Sequence, residues 1–226
     1  MKIAFILKDN INRRPPILSV VYHLLNLGNE LILITTGIEE KTKKEFEQHS
    51  CKCICINIDK GLSSLPRIGN YFKWQSFQKQ VFSILSKETF DIIWVGSADA
   101  TLALGKQLLQ YRYILQIQEL YDTVPYYRKH LGQFMVHAKR VIVPEETRAH
   151  IFRAWYHLKE TPAVLPNKPY GHPRKRNLPI TDAKAAEAFA KIPPGSKILF
   201  YQGGVSERRD IKPIAKAIEE LGSPWA

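Results

Sequence analysis

The sequence predicts a doubly wound α/β fold with a mostly parallel sheet of about seven strands, followed by the start of a second unit of the same kind. Three observations predict it. Short apolar runs alternate with segments whose apolar residues recur at helical spacing, as far as about residue 165. The composition then turns polar, basic and proline-containing in GHPRKRN, residues 171–177, as at a domain boundary. Beyond it, Lys197–Leu221 reads KILFYQGGVSERRDIKPIAKAIEEL: an apolar run, a Gly-Gly turn, two arginines and an amphipathic helix.

The elements follow in order. Lys2–Leu7 is the first strand, and Ile17, Val20, Val21, Leu24 and Leu25 mark a helix that Pro15-Pro16 opens and Gly28 ends. Leu31–Thr35, a charged helix over Glu39–Gln48 and Cys51–Ile58 complete a βαβαβ unit, which requires parallel strands. A loop over 59–70 leads to an aromatic helix near Tyr71–Lys87 and to a strand at Asp91–Val95. Gly96-Ser97-Ala98-Asp99 turns into a helix bearing Leu102, Leu104, Leu108 and Leu109, and Tyr113–Gln118 is the fifth strand. A helix at Tyr126–His137, a strand at Arg140–Pro144, a helix with Ile151, Ala154, Trp155 and Leu158, and a strand at Ala163–Leu165 finish a Rossmann-like domain. A short helix, Thr181–Lys191, is expected to use Thr181 as its N-cap. The expected division is therefore 1–170 for the first domain, 171–196 for a hinge and linker helix, and 197–226 for the first strand-loop-helix of an incomplete second domain.

Composition narrows the function. The 33 Lys and Arg against 21 Asp and Glu give a formal charge of +12, which favours an anionic partner. No glycine follows the first strand, so the dinucleotide fingerprint of a dehydrogenase is absent. Cys51, Cys53 and Cys55 alternate, which puts them on one strand face as buried thiols of a reducing compartment rather than as a disulfide or a metal site. The seven histidines show no ligand spacing, and neither a metal nor a cofactor is expected. The apolar run Ile3–Leu7 is too short for a secretory signal, and no segment matches a membrane span. A cytoplasmic protein is expected, peripheral at the inner face of the membrane if it attaches at all.

In open α/β sheets ligands sit beyond the carboxyl ends of the strands, so residues just after each strand are the candidates. Asn10, Arg13 and Arg14 follow the first strand, Ser97 and Asp99 the fourth, and Glu119 the fifth. Ser97 and Asp99 are also N-cap candidates, and Glu145, Glu146 and Arg148 are read as structural in a helix first turn. Gly203, Gly204, Arg208 and Arg209 read as a phosphate-holding loop, because glycines admit an anion to the backbone and arginine offers a fixed fork of donors. On the aromatic helix, Tyr71, Phe72, Trp74, Phe77 and Phe82 with Lys73 and Lys79 suit either packing on the sheet or the boundary of an anionic lipid surface.

Three segments carry a resemblance: KRVIVPEETRAHI, VLPNKP and ILFYQGGVSERRDIKPIAKAIEEL. In this order they resemble the last strand and helix of the first domain, the hinge, and the first strand-loop-helix of the nucleotide-binding domain of GT-B glycosyltransferases, especially retaining family-four members. The resemblance implies transfer of a sugar from a nucleotide-sugar donor, a substrate rather than a cofactor, to a glycan or lipid-linked acceptor in polysaccharide or glycoconjugate synthesis. It implies that Gly203, Gly204, Arg208 and Arg209 contact the donor diphosphate. It implies that Asn10, Arg13, Arg14, Ser97 and Asp99 face the acceptor, and that Glu119 acts on the acceptor hydroxyl. Asp210 stands where the family places glycine, and is expected as an N-cap competing for the same N–H groups. The family's paired donor-binding glutamates have no counterpart here, so the chain alone is expected to be inactive, and Lys197–Tyr201 is expected to pair with a missing segment, another chain or the first domain's edge, or else to stay poorly ordered. Two other classes are weighed against this one. A non-catalytic acceptor- or membrane-binding subunit of a split glycosyltransferase predicts a second chain that completes the donor domain. A basic α/β nucleic-acid-binding module predicts salt-sensitive affinity, but no nucleic-acid motif is present.

Overall fold

Seven parallel strands form one sheet in the order β3-β2-β1-β4-β5-β6-β7 in the computed structural model, which describes residues 1–58, 68–171, 179–201 and 210–222. The strands are β1 (Lys2–Asn10), β2 (Glu30–Gly37), β3 (Cys51–Cys55), β4 (Ile92–Val95), β5 (Tyr113–Gln116), β6 (Arg140–Val143) and β7 (Ala163–Val164). Strand order runs outward from β1 to β3, then returns and continues from β4 to β7. The β1/β4 pair is therefore the point at which the winding reverses.

Burial on both faces explains the unbroken apolar strands. Ala4, Ile6, Ile32, Ile34, Ile93 and Val95 face one apolar cluster, whose helical half comes from α3 (Ile68–Leu85), α4 (Ala98–Leu104), α5 (Pro125–His137) and α6 (Glu146–Tyr156). Ile3, Phe5, Leu7, Leu31 and Leu33 face the other, which α1 (Pro15–Asn26) and α2 (Glu40–Glu47) supply. Buried Phe77, Val81 and Phe82 make the aromatic helix largely a packing element, although Phe72 is exposed. Gly28, at φ +75°, lets the chain leave α1 for β2 in a left-handed turn. Trp94 Nε1 donates to Gln116 Oε1 at 3.0 Å, a buried cross-strand bond between β4 and β5.

The chain divides into two compact units, Met1–His172 and Pro173–Ala226. In the first, the segment after β7 turns back onto α1. Tyr170 stacks on Tyr22 at 4.6 Å, its N–H donates to Ser19 Oγ at 2.9 Å, and its hydroxyl accepts from Asn26. In the second, α7 (Ala183–Ala190) and α8 (Lys212–Leu221) are amphipathic segments whose described residues are not buried.

Several expectations need correction. Asp182, not Thr181, caps α7, its Oδ1 accepting from Ala185 N at 2.8 Å. Lys197–Tyr201 is not a strand: only Lys197 forms an isolated bridge, and Ile198, Leu199, Phe200 and Tyr201 are exposed. Parallel pairing needs a neighbouring strand, so an apolar run alone does not become one. The three cysteines do share a face, but only Cys51 is buried; Cys53 is half-buried and Cys55 exposed, because β3 lies at the edge of the sheet. Cys51 and Cys53 Sγ lie 3.9 Å apart, and this contact, with burial second, pushes the Cys51 thiol up.

Candidate functional site

A cavity of about 360 Å³ opens at the carboxyl ends of β1, β4 and β5, where the winding reverses. Leu7, Lys8, Asp9 and Arg14 line it from β1 and the turn after it, Gly96, Ser97 and Asp99 from the β4–α4 connection, and Gln118, Glu119, Tyr121 and Tyr127 from beyond β5.

Ser97 is the N-cap of α4, its Oγ accepting from Ala100 N at 3.1 Å. Asp99 is therefore not a cap. It sits in the first turn, favourably placed for a carboxylate, and its side chain turns into the cavity. Lys8 Nζ lies 2.7 Å from Asp99 Oδ2 with its side chain only 14% exposed, and Tyr127 Oη donates to Asp99 Oδ1 at 3.1 Å. Lys8 also lies 5.9 Å from the centroid of the Trp74 ring on α3. Arg14 Nε meets Asp9 Oδ2 at 2.5 Å while Asp9 Oδ1 accepts from Asn10 N at 2.7 Å. Each of these two aspartates thus has its own cation, and the cavity floor is close to charge-balanced.

Two groups are held against their ordinary preferences. Tyr121 has φ +58°, the left-handed region that side chains other than glycine rarely adopt, and its ring stacks on Tyr127 at 4.6 Å. Burial, with the Glu119 carboxylate nearby, pushes its hydroxyl up to about 12; burial and Asp99 push Tyr127 up as well. Gln118 Nε2 is buried without a hydrogen-bond partner among the described residues. Two residues earlier on the same strand line, Gln116 is satisfied by Trp94. An unpaired buried amide N–H is unfavourable by about 1–3 kcal/mol, which marks Gln118 as a donor without its acceptor.

Of the residues expected from sequence, Arg14, Ser97, Asp99 and Glu119 line the cavity, with Glu119 exposed at its rim. Asn10 and Arg13 do not line it. Asn10 turns its side chain back to Asn12 N at 3.0 Å, and Arg13 ends a single 3-10 turn, exposed to solvent. Gly203, Gly204, Arg208 and Arg209 lie outside the described residues. Asp210 Oδ1 accepts from Lys212 N at 3.0 Å at the start of α8, so its carboxylate does occupy a backbone donor there, although Ile211 holds the cap position. Glu145, at the N-cap of α6, pairs with Arg148 at 3.5 Å and takes no part in the cavity. Lys8, Asp9, Gln118, Tyr121 and Tyr127 were not singled out from sequence. Position at the carboxyl end of β1 or just beyond β5 was the signal that could have found Lys8, Asp9, Gln118 and Tyr121; Tyr127, in the first turn of α5, carried no such signal. The described residues contain no cluster of His, Cys, Asp or Glu able to hold a metal, and no helix long and apolar enough to cross a membrane.

Donors (Lys8, Arg14, Gln118), acceptors (Asp9, Asp99, Glu119) and two aromatic rings around one cavity suit a neutral polyhydroxylated ligand, which alternates donors and acceptors over an apolar ring. No protein-family model matches the chain, and no curated protein matches it. Its fold matches that of solved GT-B glycosyltransferases. Sucrose-phosphate synthase from Thermosynechococcus elongatus is 17% identical with a TM-score of 0.66, over 98% of this chain and 60% of that one. HepE from Anabaena, solved in complex with UDP and glucose, is 12% identical with a TM-score of 0.55, over 74% of this chain and 44% of its own. UGT89C1 from Arabidopsis thaliana is 12% identical with a TM-score of 0.56, over 87% of this chain and 56% of its own. The seven-stranded parallel sheet thus resembles part of the GT-B fold, and the chain spans 44 to 60% of the length of these three proteins.

Proposed function

We propose that residues 1–170 are the acceptor-binding half of a glycosyltransferase that uses a nucleotide-sugar donor, with a glycan or lipid-linked acceptor in polysaccharide or glycoconjugate synthesis. The buried, unpaired Gln118 amide in the cavity at the strand reversal carries this reading, because a sugar hydroxyl supplies the acceptor it lacks. The likeness in fold to UDP-sugar-dependent enzymes supports it. Asp99, fixed by Lys8 and Tyr127, accepts from one acceptor hydroxyl, and Glu119 at the rim orients or deprotonates the reacting one. Gly203, Gly204, Arg208 and Arg209 contact the donor diphosphate. The exposed run Ile198–Tyr201 takes its place in a sheet only with further strands, from a second chain or a longer one, so these 226 residues alone do not transfer sugar. An anionic membrane surface is a further partner, met through the basic and aromatic side of α3.

The test is binding by the chain itself. Saturation-transfer NMR against a panel of neutral and acidic oligosaccharides should show contacts that Gln118→Leu weakens at least tenfold while leaving thermal stability unchanged or slightly raised. A panel in which nothing binds, or equal binding by the variant, rejects the acceptor site. Sugar transfer by the purified chain rejects the half-site reading.

A further inference from the structure

A second cavity of about 330 Å³ lies between α5 and the end of α6, lined by Asp122, Pro125, Arg128, Lys129, Trp155 and Tyr156. Its central group is Arg128, whose guanidinium lies over the Trp155 ring at 4.6 Å. The surroundings hold it there. Tyr156 Oη donates to the Arg128 carbonyl at 3.0 Å, and the Tyr156 ring presses so close to α5 that a Cβ on Gly132 would stand 2.6 Å from it. Phe152 backs the same ring at 5.8 Å.

Arg14, Arg140 and Arg148 each pair with a carboxylate; Arg128, like Arg13, Arg112 and Arg153, pairs with none among the described residues, although Asp122 lines the same cavity, and Arg128 alone of these four is stacked on an indole. Arg128 and Lys129 are both exposed to solvent. A guanidinium stacked on an indole keeps its N–H fork in one plane, so little freedom remains to be lost when it grips a planar or tetrahedral oxyanion in two places. The two cavities share no lining residue, but residues adjacent in sequence line them. Tyr121 and Tyr127 line the cavity at the strand reversal and Asp122 and Arg128 line this one, so the β5–α5 connection and the first turn of α5 are the wall between them. A ligand of several sugar rings seated in the first cavity would have to cross that wall to meet the second.

We propose that Arg128, with Lys129, is a subsite for the oxyanion of an acidic oligosaccharide acceptor, the carboxylate of a uronic acid or the phosphate ester of a phosphorylated sugar. This rests on the acceptor reading for the sugar portion and on Arg128 and Trp155 for the charge.

The experiment follows the Trp155 indole N–H and the Tyr121 and Tyr127 signals by NMR in the full chain. The probes are tetragalacturonate, maltotetraose, a maltotetraose phosphate ester, inorganic phosphate, and vesicles with and without phosphatidylglycerol. A charged oligosaccharide is expected to shift Trp155 and the tyrosines together, with affinity at least tenfold above that of maltotetraose and falling with salt. The two charged oligosaccharides distinguish carboxylate from phosphate ester. Arg128→Gln removes the preference, and Arg128→Lys, which keeps the charge without the fork, removes most of it. Wild-type affinity in both variants overturns the subsite, as does a Trp155 shift seen only with anionic vesicles or equally with inorganic phosphate alone. Tyrosine shifts with a silent Trp155 sink the subsite and spare the acceptor cavity. A Trp155 shift with silent tyrosines sinks the acceptor reading, and with it the proposal that the anion belongs to an acceptor.

Discussion

Gly132→Ala should destabilise the first unit, against the usual sign. Gly132 lies inside α5, where alanine is ordinarily favoured over glycine by about 1 kcal/mol. Here the new Cβ would fall 2.6, 3.2 and 3.3 Å from three atoms of the Tyr156 ring. That ring has nowhere to go, since Phe152 stacks on it at 5.8 Å and its hydroxyl is bonded to the Arg128 carbonyl at 3.0 Å. Forcing a methyl into a packed contact is unfavourable by about 1–3 kcal/mol, so the net change runs from about zero to 2 kcal/mol of lost stability. In a Tyr156→Ala background the obstruction is gone and the same substitution should stabilise by about 1 kcal/mol. A double-mutant cycle in urea, with unfolding followed by the fluorescence of Trp74, Trp94 and Trp155, should therefore return a coupling of about 1–3 kcal/mol. A stabilised Gly132→Ala single variant with no coupling to Tyr156 would refute the reasoning, and would show that the Tyr156 support of Arg128 is looser than the geometry implies.

Two further outcomes follow from the buried polar groups. Trp94→Phe removes the donor to Gln116 Oε1 in a site where Gln116 is only 3% exposed, and should destabilise by about 1–3 kcal/mol; adding Gln116→Leu should recover much of that, as measured by urea midpoints. Tyr121 and Tyr22 both have hydroxyls pushed up to about 12, above the ordinary value of 10.0. The folded state then holds protons that the unfolded chain releases, so their contribution is fully present below pH 10 and is lost between about pH 10 and 12. Unfolding midpoints measured between pH 9 and 12 should fall across that window, and Tyr121→Phe should shallow the fall; an unchanged slope would show that Tyr121 is not desolvated.

The strands and most helices were legible because each depends on a local pattern: apolar runs for β1 to β7, and proline, serine or glycine at the ends of α1 and α4. Where the deciding partner is distant, the pattern fails. Ile198–Tyr201 reads as a strand but is exposed, because strand formation belongs to a pair of segments and not to one. The period of Cys51, Cys53 and Cys55 gives their common face, while their depth depends on β3 being an edge.

The cavity divides in the same way. Ser97, Asp99, Arg14 and Glu119 were visible as polar residues after strands. Residue type does not distinguish Lys8 from 32 other cations, since the chain has 33 Lys and Arg. What marks it is Asp99, 91 residues away and 2.7 Å distant. Gln118 is marked by a missing partner and Tyr121 by a backbone angle, and neither is a property of residue type. These contacts nevertheless have a common origin. Once β1 pairs with β4 and β4 with β5, the residues that leave those three strands must crowd the one end of the sheet where the winding reverses. The productive sequence rule for such a chain is therefore positional: the last residues of β1 and the first few beyond β4 and β5 are all site candidates whatever their type. Under that rule Lys8, Asp9, Gln118 and Tyr121 stand beside Asp99 and Glu119 from the outset.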